Sequence, residues 1–151
     1  MQLDELEKAT ASLDQFDTSE LDRAAVVFAP VGIIISQEDG SIVRINNKAC
    51  ELLGYYPTWD RKAWLKQRGW IAMTHPDDVE LDKEYAHKAA SGKIKGYKIT
   101  KRYIGRRDAE VWVTLTIRFY KSRQFVEPLA MVYVEPATEY RGGCAFVEEL
   151  K

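Results

Sequence analysis

Leu3, Leu6, Leu13 and Phe16 recur near helical spacing, with Asp4, Glu5, Glu7, Lys8 and Asp14 between them, which predicts an amphipathic helix over residues 1–18. It is too short to be an independent coiled coil, so its apolar stripe docks on the domain or on a second copy of the chain. Ser19 offers a hydroxyl cap to a second helix, with Asp22 placed as in a capping box. That helix runs toward Phe28 and ends before Pro30, because the residue ahead of a proline is excluded from helical geometry. From Val31 the period changes. Val31, Ile33, Ile34 and Ile35 are β-branched or flank such residues, Glu38-Asp39-Gly40 is a turn, and Ile42, Val43 and Ile45 resume the strand pattern, so the segment reads as a hairpin. Asn46 stands at an N-cap ahead of Ala49, Leu52 and Leu53 at helical spacing, and Gly54 supplies the stop. Losing that cap alone predicts a cost of about 1 kcal/mol.

Residues 55–75 carry no clean period. Tyr55, Tyr56, Trp59, Trp64 and Trp70 are interleaved with Arg61, Lys62, Lys66 and Arg68. Thr74 or His75 caps the next helix, Pro76 fits its first turn, and Asp77 and Asp78 sit against its positive end. Val79, Leu81, Tyr85 and Ala89 mark its length, and Ser91-Gly92 closes it. Three strands follow, at 94–103, 110–119 and 128–135. In the middle one Val111, Val113, Leu115, Ile117 and Phe119 share a face, while Trp112, Thr114, Thr116 and Arg118 share the other. Trp112 among threonines needs apolar cover, and the N-terminal helix is the candidate to supply it.

Composition narrows the function classes. At 151 residues, 46% apolar and 30% charged, the chain has the makeup of one folded domain. With 22 basic against 23 acidic side chains there is no global field for phosphates, so nucleic acid is not the expected partner, and the aromatics among cations at 55–75 read as packing rather than base stacking. The longest apolar run, 26–35, is broken by Pro30 and Gly32 and is too short to span a bilayer, so no membrane insertion is expected. The first residues lack the basic start and apolar stretch of a secretory signal, and Cys50 and Cys144 lie far apart with no metal-ligand spacing, so a cytoplasmic address is expected.

Phe28-Ala29-Pro30-Val31-Gly32-Ile33, Asp39-Gly40, Asn46-Asn47-Lys48-Ala49-Cys50-Glu51-Leu52-Leu53-Gly54-Tyr55, Thr74-His75-Pro76-Asp77-Asp78, Ser91-Gly92, Arg102-Tyr103 and Trp112 occur in order and at fitting separations. Together they resemble the PAS domain over about residues 20–136. The resemblance implies an α+β fold, a five-stranded antiparallel sheet with short helices on one face, preceded here by the amphipathic helix and followed by a tail at 137–151. It implies a sensory or signalling module that takes a small ligand or a partner protein, in particular a second copy, and passes on a conformational or oligomeric change. The alternative is a dimerisation scaffold whose core is filled by side chains. Family position and strand alternation put Phe28, Ile33, Leu53, Trp70, Met73, Tyr103 and Leu115 on the walls of any cavity. Two departures stand out. Arg107-Asp108-Ala109 replaces the family's Asp-Gly turn, so Ala109 must avoid a positive φ, and Pro136 interrupts a continuous helix leaving the last strand.

No cofactor follows from these residues. His75 and His87 are the available axial ligands for haem, and His75 reads as a helix cap. The Asn-Cys-Arg-Phe motif of blue-light flavin chemistry is missing, and Cys50 reads as a small buried apolar group beside Leu52 and Leu53. Asp77/Asp78 and Asp14/Asp17 come without a nucleophile elbow, phosphate loop or metal-binding His-Glu pattern, so binding rather than catalysis is expected.

Overall fold

Alternation of side chains in the strands builds one twisted antiparallel sheet, seen in a computed structural model that describes residues 2–5 and 19–151. Its strands are β1 (Gly32–Gln37), β2 (Ile42–Ile45), β3 (Tyr97–Ile104), β4 (Glu110–Tyr120), β5 (Leu129–Pro136) and β6 (Phe146–Glu149), in the spatial order β2-β1-β5-β4-β3-β6. The helices are α1 (Ser19–Val27), α2 (Asn47–Leu52), α3 (Trp59–Met73) and α4 (Pro76–Ala90). The N-terminal hairpin meets the C-terminal meander where β1 pairs with β5, from Gly32 opposite Val134 to Gln37 opposite Leu129. Of the helix expected over 1–18, residues 3–5 form a helical turn, and Gln2 bridges to Lys121. The rest of that expectation lies outside the described residues.

The sheet has six strands where five were expected. The sixth comes from the stretch read as a tail, and pairs with β3 from Tyr97 opposite Glu149 to Thr100 opposite Phe146. Its register sets Lys98 across from Glu148, an opposite-charge pair that favours this alignment. The connection from β5 to β6 also supplies the cover for Trp112. Tyr140 meets its ring edge-on at 5.6 Å and the Arg102 guanidinium lies 5.2 Å from its centroid. The chain after Pro136 thus returns onto the sheet.

Register fixes which side chains face the helices. Ile34, Val132, Ile117 and Tyr97 lie in one row across four strands, and Leu115 pairs with Ile99 and Val134 in the next. All seven are buried in one core with Leu53, Leu65, Met73 and Ala86 from the helices. The missing period at 55–75 has a local cause. Within α3, Gly69 leaves helical geometry at φ 84°, so two short helices meet at a kink. There the Gly40 carbonyl of the β1–β2 turn accepts from the Trp70 N–H at 3.0 Å, and a Cβ on Gly69 would stand 2.6 Å from that oxygen.

The turn between β3 and β4 resolves the question posed by Ala109. Its φ is −66°, and the left-handed conformation falls instead on Arg107 (φ 58°) and Asp108 (φ 60°). Aspartate tolerates this region better than arginine does. Arg107→Gly is therefore expected to stabilise the domain by about 0.5–1 kcal/mol, the relief of strain exceeding the added freedom of the unfolded chain. Urea denaturation checks it; an unchanged or lower midpoint means that the arginine side chain contributes contacts that outweigh the strain.

Candidate functional site

Two periodicities converge on the interior. On α4, Asp78, Asp82, Ala86 and Ala89 follow one another at four, four and three residues, so both carboxylates share the buried stripe with two alanines. The helix begins with His75 as N-cap, its Nδ1 accepting from the Asp77 N–H at 3.1 Å, and Pro76 in the first turn. On β3, Tyr97, Ile99, Lys101 and Tyr103 alternate inward. A lysine and an aspartate therefore meet inside the core.

Lys101 is fully buried, and its Nζ is hydrogen-bonded to Asp82 Oδ2 and donates to Thr74 Oγ1 at 2.7 Å. The Thr74 hydroxyl in turn donates to the Trp70 carbonyl at 2.7 Å, and the Tyr97 hydroxyl donates to the other oxygen of Asp82 at 2.6 Å. Two rings complete the enclosure, with Nζ 5.3 Å from the Trp70 centroid and 4.7 Å from that of Tyr103. The Trp70 ring is pinned by its own Nε1–H, which donates to the Gln37 carbonyl at 2.7 Å. Burial first, and the Asp82 carboxylate second, hold the Tyr97 and Tyr103 phenols well above their usual range, so Tyr97 stays a donor. No buried side-chain nitrogen or oxygen among the described residues lacks a partner.

Beside this network lies a cavity of about 20 Å³, lined by Ser36, Trp70, Asp82, Lys101 and Tyr103 on one side and by Ile34, Leu115, Ile117 and Phe119 among its apolar residues. That is room for about one water molecule. Asp78 closes the lower edge of α4 in a different way. Burial opposes its ionisation, but Arg102 contributes two guanidinium hydrogen bonds, at 2.7 and 3.1 Å, and a backbone one at 2.8 Å, and the balance holds the carboxyl below its usual range.

Of the seven expected cavity walls, Trp70, Tyr103 and Leu115 line this space. Leu53 and Met73 are buried in the same core without lining it. Phe28 is misplaced: it follows the end of α1 and is 82% exposed. Ile33 is also misplaced, because it stands opposite Tyr133 in register, one residue from the inward Ile34, and so takes the other face of the sheet. Sequence reasoning missed Asp82, Tyr97 and Lys101. The four-residue step from Asp78 to Asp82, on the face that carries Ala86 and Ala89, was the signal available.

The remaining candidates fall elsewhere. His75 caps α4, and its Nε2 lies 3.3 Å from Glu110. His87 is exposed and bonded to Glu38 at 2.8 Å. Cys50 is buried in α2, where burial pushes its thiol up, and Cys144 is exposed. Arg61 and Arg68 stack on Trp64, while Trp59 and Tyr56 are exposed. No group of three or more metal-ligating side chains occurs among the described residues, and none of their helices is long and apolar enough to cross a membrane.

A sheet in the order β2-β1-β5-β4-β3, covered on one face by short helices around a small interior, defines the architecture as α+β. The PAS domain family matches residues 23–89, and the fold of the chain is that of PAS domains. A PAS domain from Colwellia psychrerythraea superposes with a TM-score of 0.63 at 15% identity, covering 81% of this chain and 98% of that one. The PAS domain of an HTR-like protein from Haloarcula marismortui gives 0.58 at 18% identity, covering 89% and 99%. Among curated proteins, a probable diguanylate cyclase, DgcE, of Escherichia coli (strain K12) is 28% identical over 95 residues, 63% of this chain. The matched stretch spans 8% of that relative's length.

Proposed function

We propose that this domain is a signalling module that works by pairing with a second copy of itself, with an interior occupied by its own side chains. The observation that carries the reading is the filled core: a cavity of about 20 Å³ compares with the roughly 300–1,000 Å³ of sites that enclose small organic ligands. The surface offers what the interior does not. No residue of α1 is buried, and Leu21, Val27 and Phe28 stand exposed at its outer side and end. Exposed apolar groups clustered on one short element are the mark of an interaction face. The curated relative is a probable diguanylate cyclase of which the match is a small part, which supports service within, or beside, a larger signalling protein.

A second reading is a sensor of a small ligand, favoured by the polar groups gathered at the cavity wall. Native mass spectrometry of the purified chain separates the two. A dimer mass without adduct, reduced to a monomer by Leu21→Asp with Phe28→Asp, is the expected result. An added small-molecule mass supports the sensor. A bare monomer at 100 μM, on the order of a weak interface's dissociation constant, overturns the pairing.

A further inference from the structure

From the contacts around Lys101 we infer that the core contains a receptor site for a primary ammonium ion, occupied by the chain's own lysine. Three kinds of group converge on Nζ, and each fits a primary ammonium. Asp82 Oδ2 supplies the counter-charge, Thr74 Oγ1 at 2.7 Å accepts a second N–H, and the Trp70 and Tyr103 rings at 5.3 and 4.7 Å present their negative faces. A quaternary ammonium has no N–H for the two oxygens, and a carboxylate ligand would meet Asp82. Lys101 borders the same cavity as Ile34, Leu115 and Ile117, apolar surroundings that suit an unbranched alkyl chain. Asp82 is itself oriented by the Tyr97 hydroxyl at 2.6 Å, and Trp70 by the Gln37 carbonyl, so the site keeps its polar framework without the lysine.

The inference rests on the reading of a self-filled interior, and its test is independent of the oligomeric state. Lys101→Ala removes three carbons and the ammonium, the volume of n-propylammonium. With that variant, n-propylammonium at about thirty times its half-saturating concentration is expected to raise the melting midpoint by about 4–8 °C. The wild-type protein should show no shift, because its tethered ammonium already holds the site. n-Propanol and tetramethylammonium should leave the variant unmoved. A folded variant that ignores the amine, or gains as much from n-propanol, overturns the proposal. Should Lys101→Ala not fold, nuclear magnetic resonance of the wild-type chain decides: ε-methylene protons of Lys101 shifted by the two rings, with slowly exchanging ammonium protons, are expected, and ordinary exposed-lysine signals overturn it. A dimer that lacks the amine response, or a monomer that has it, tells the failure of one reading from that of the other.

Discussion

Asp82→Ala is expected to lower the stability of the domain by about 3–5 kcal/mol, because it leaves a buried lysine without its counter-charge. That is a large fraction of the total for a single domain. Nothing nearby replaces the carboxylate. Thr74 already accepts from Lys101, and its own proton is committed to the Trp70 carbonyl, while the Tyr97 hydroxyl loses its acceptor in the same step. On its face of β3 Lys101 lies between the buried Ile99 and Tyr103, so its head cannot reach water without disturbing the strand. Asp82→Asn keeps an oxygen for Tyr97 and should cost less. The informative comparison is a pair: Asp82→Leu together with Lys101→Met removes both charges at similar volume and should be near neutral or stabilising. Urea denaturation of the two singles and the double gives the coupling directly. A cost below 1 kcal/mol for Asp82→Ala would mean that the lysine is held by the rings and Thr74 alone.

The paired network also marks the boundary of what the residues disclose in one dimension. The hairpin, the Asn46 and His75 caps, α4 and the three meander strands were legible because each obeys a local rule of period or cap. Residues 55–75 were not, since the helical period restarts at Gly69, whose left-handed φ is fixed by the Gly40 carbonyl from another element. The sixth strand was missed for a similar reason: Phe146–Glu149 has little pattern of its own and is defined by the free edge of β3. Phe28 and Ile33 show the two ways in which family position misleads. One lies beyond the end of a helix, and the other is a single residue out of phase in a strand where that step exchanges faces. Lys101 and Asp82 were hidden most deeply, because charged residues are expected in water and become core residues only when a partner meets them there. At the cavity wall stand three of the seven expected residues, Trp70, Tyr103 and Leu115, whereas its polar members Ser36, Asp82 and Lys101 were not anticipated.

Asn46 is where local and long-range demands fall on one side chain, and Asn46→Ala is accordingly expected to cost about 2–4 kcal/mol rather than the value of a cap alone. The cap is real: Oδ1 accepts from the Ala49 N–H at 3.0 Å at the start of α2. The same oxygen accepts from the Ile33 N–H at 2.8 Å, and Nδ2 donates to the Val26 carbonyl at 2.9 Å and to that of Val31 at 3.2 Å. Truncation strands the Ile33 N–H in a buried strand and frees the end of α1, a helix with no buried residue of its own. Asn46→Ser restores an acceptor but neither donor, so its cost should fall between. Asn46→Asp preserves both accepted bonds while setting a carboxylate against two carbonyls, so it should be no milder than serine. Chemical denaturation ranks the three, and hydrogen exchange should show the α1 amides losing protection in all of them. A cost of 1 kcal/mol for alanine, with α1 unchanged, would mean that the bonds to Val26, Val31 and Ile33 add nothing to the cap, and that α1 is held to the sheet by some other contact.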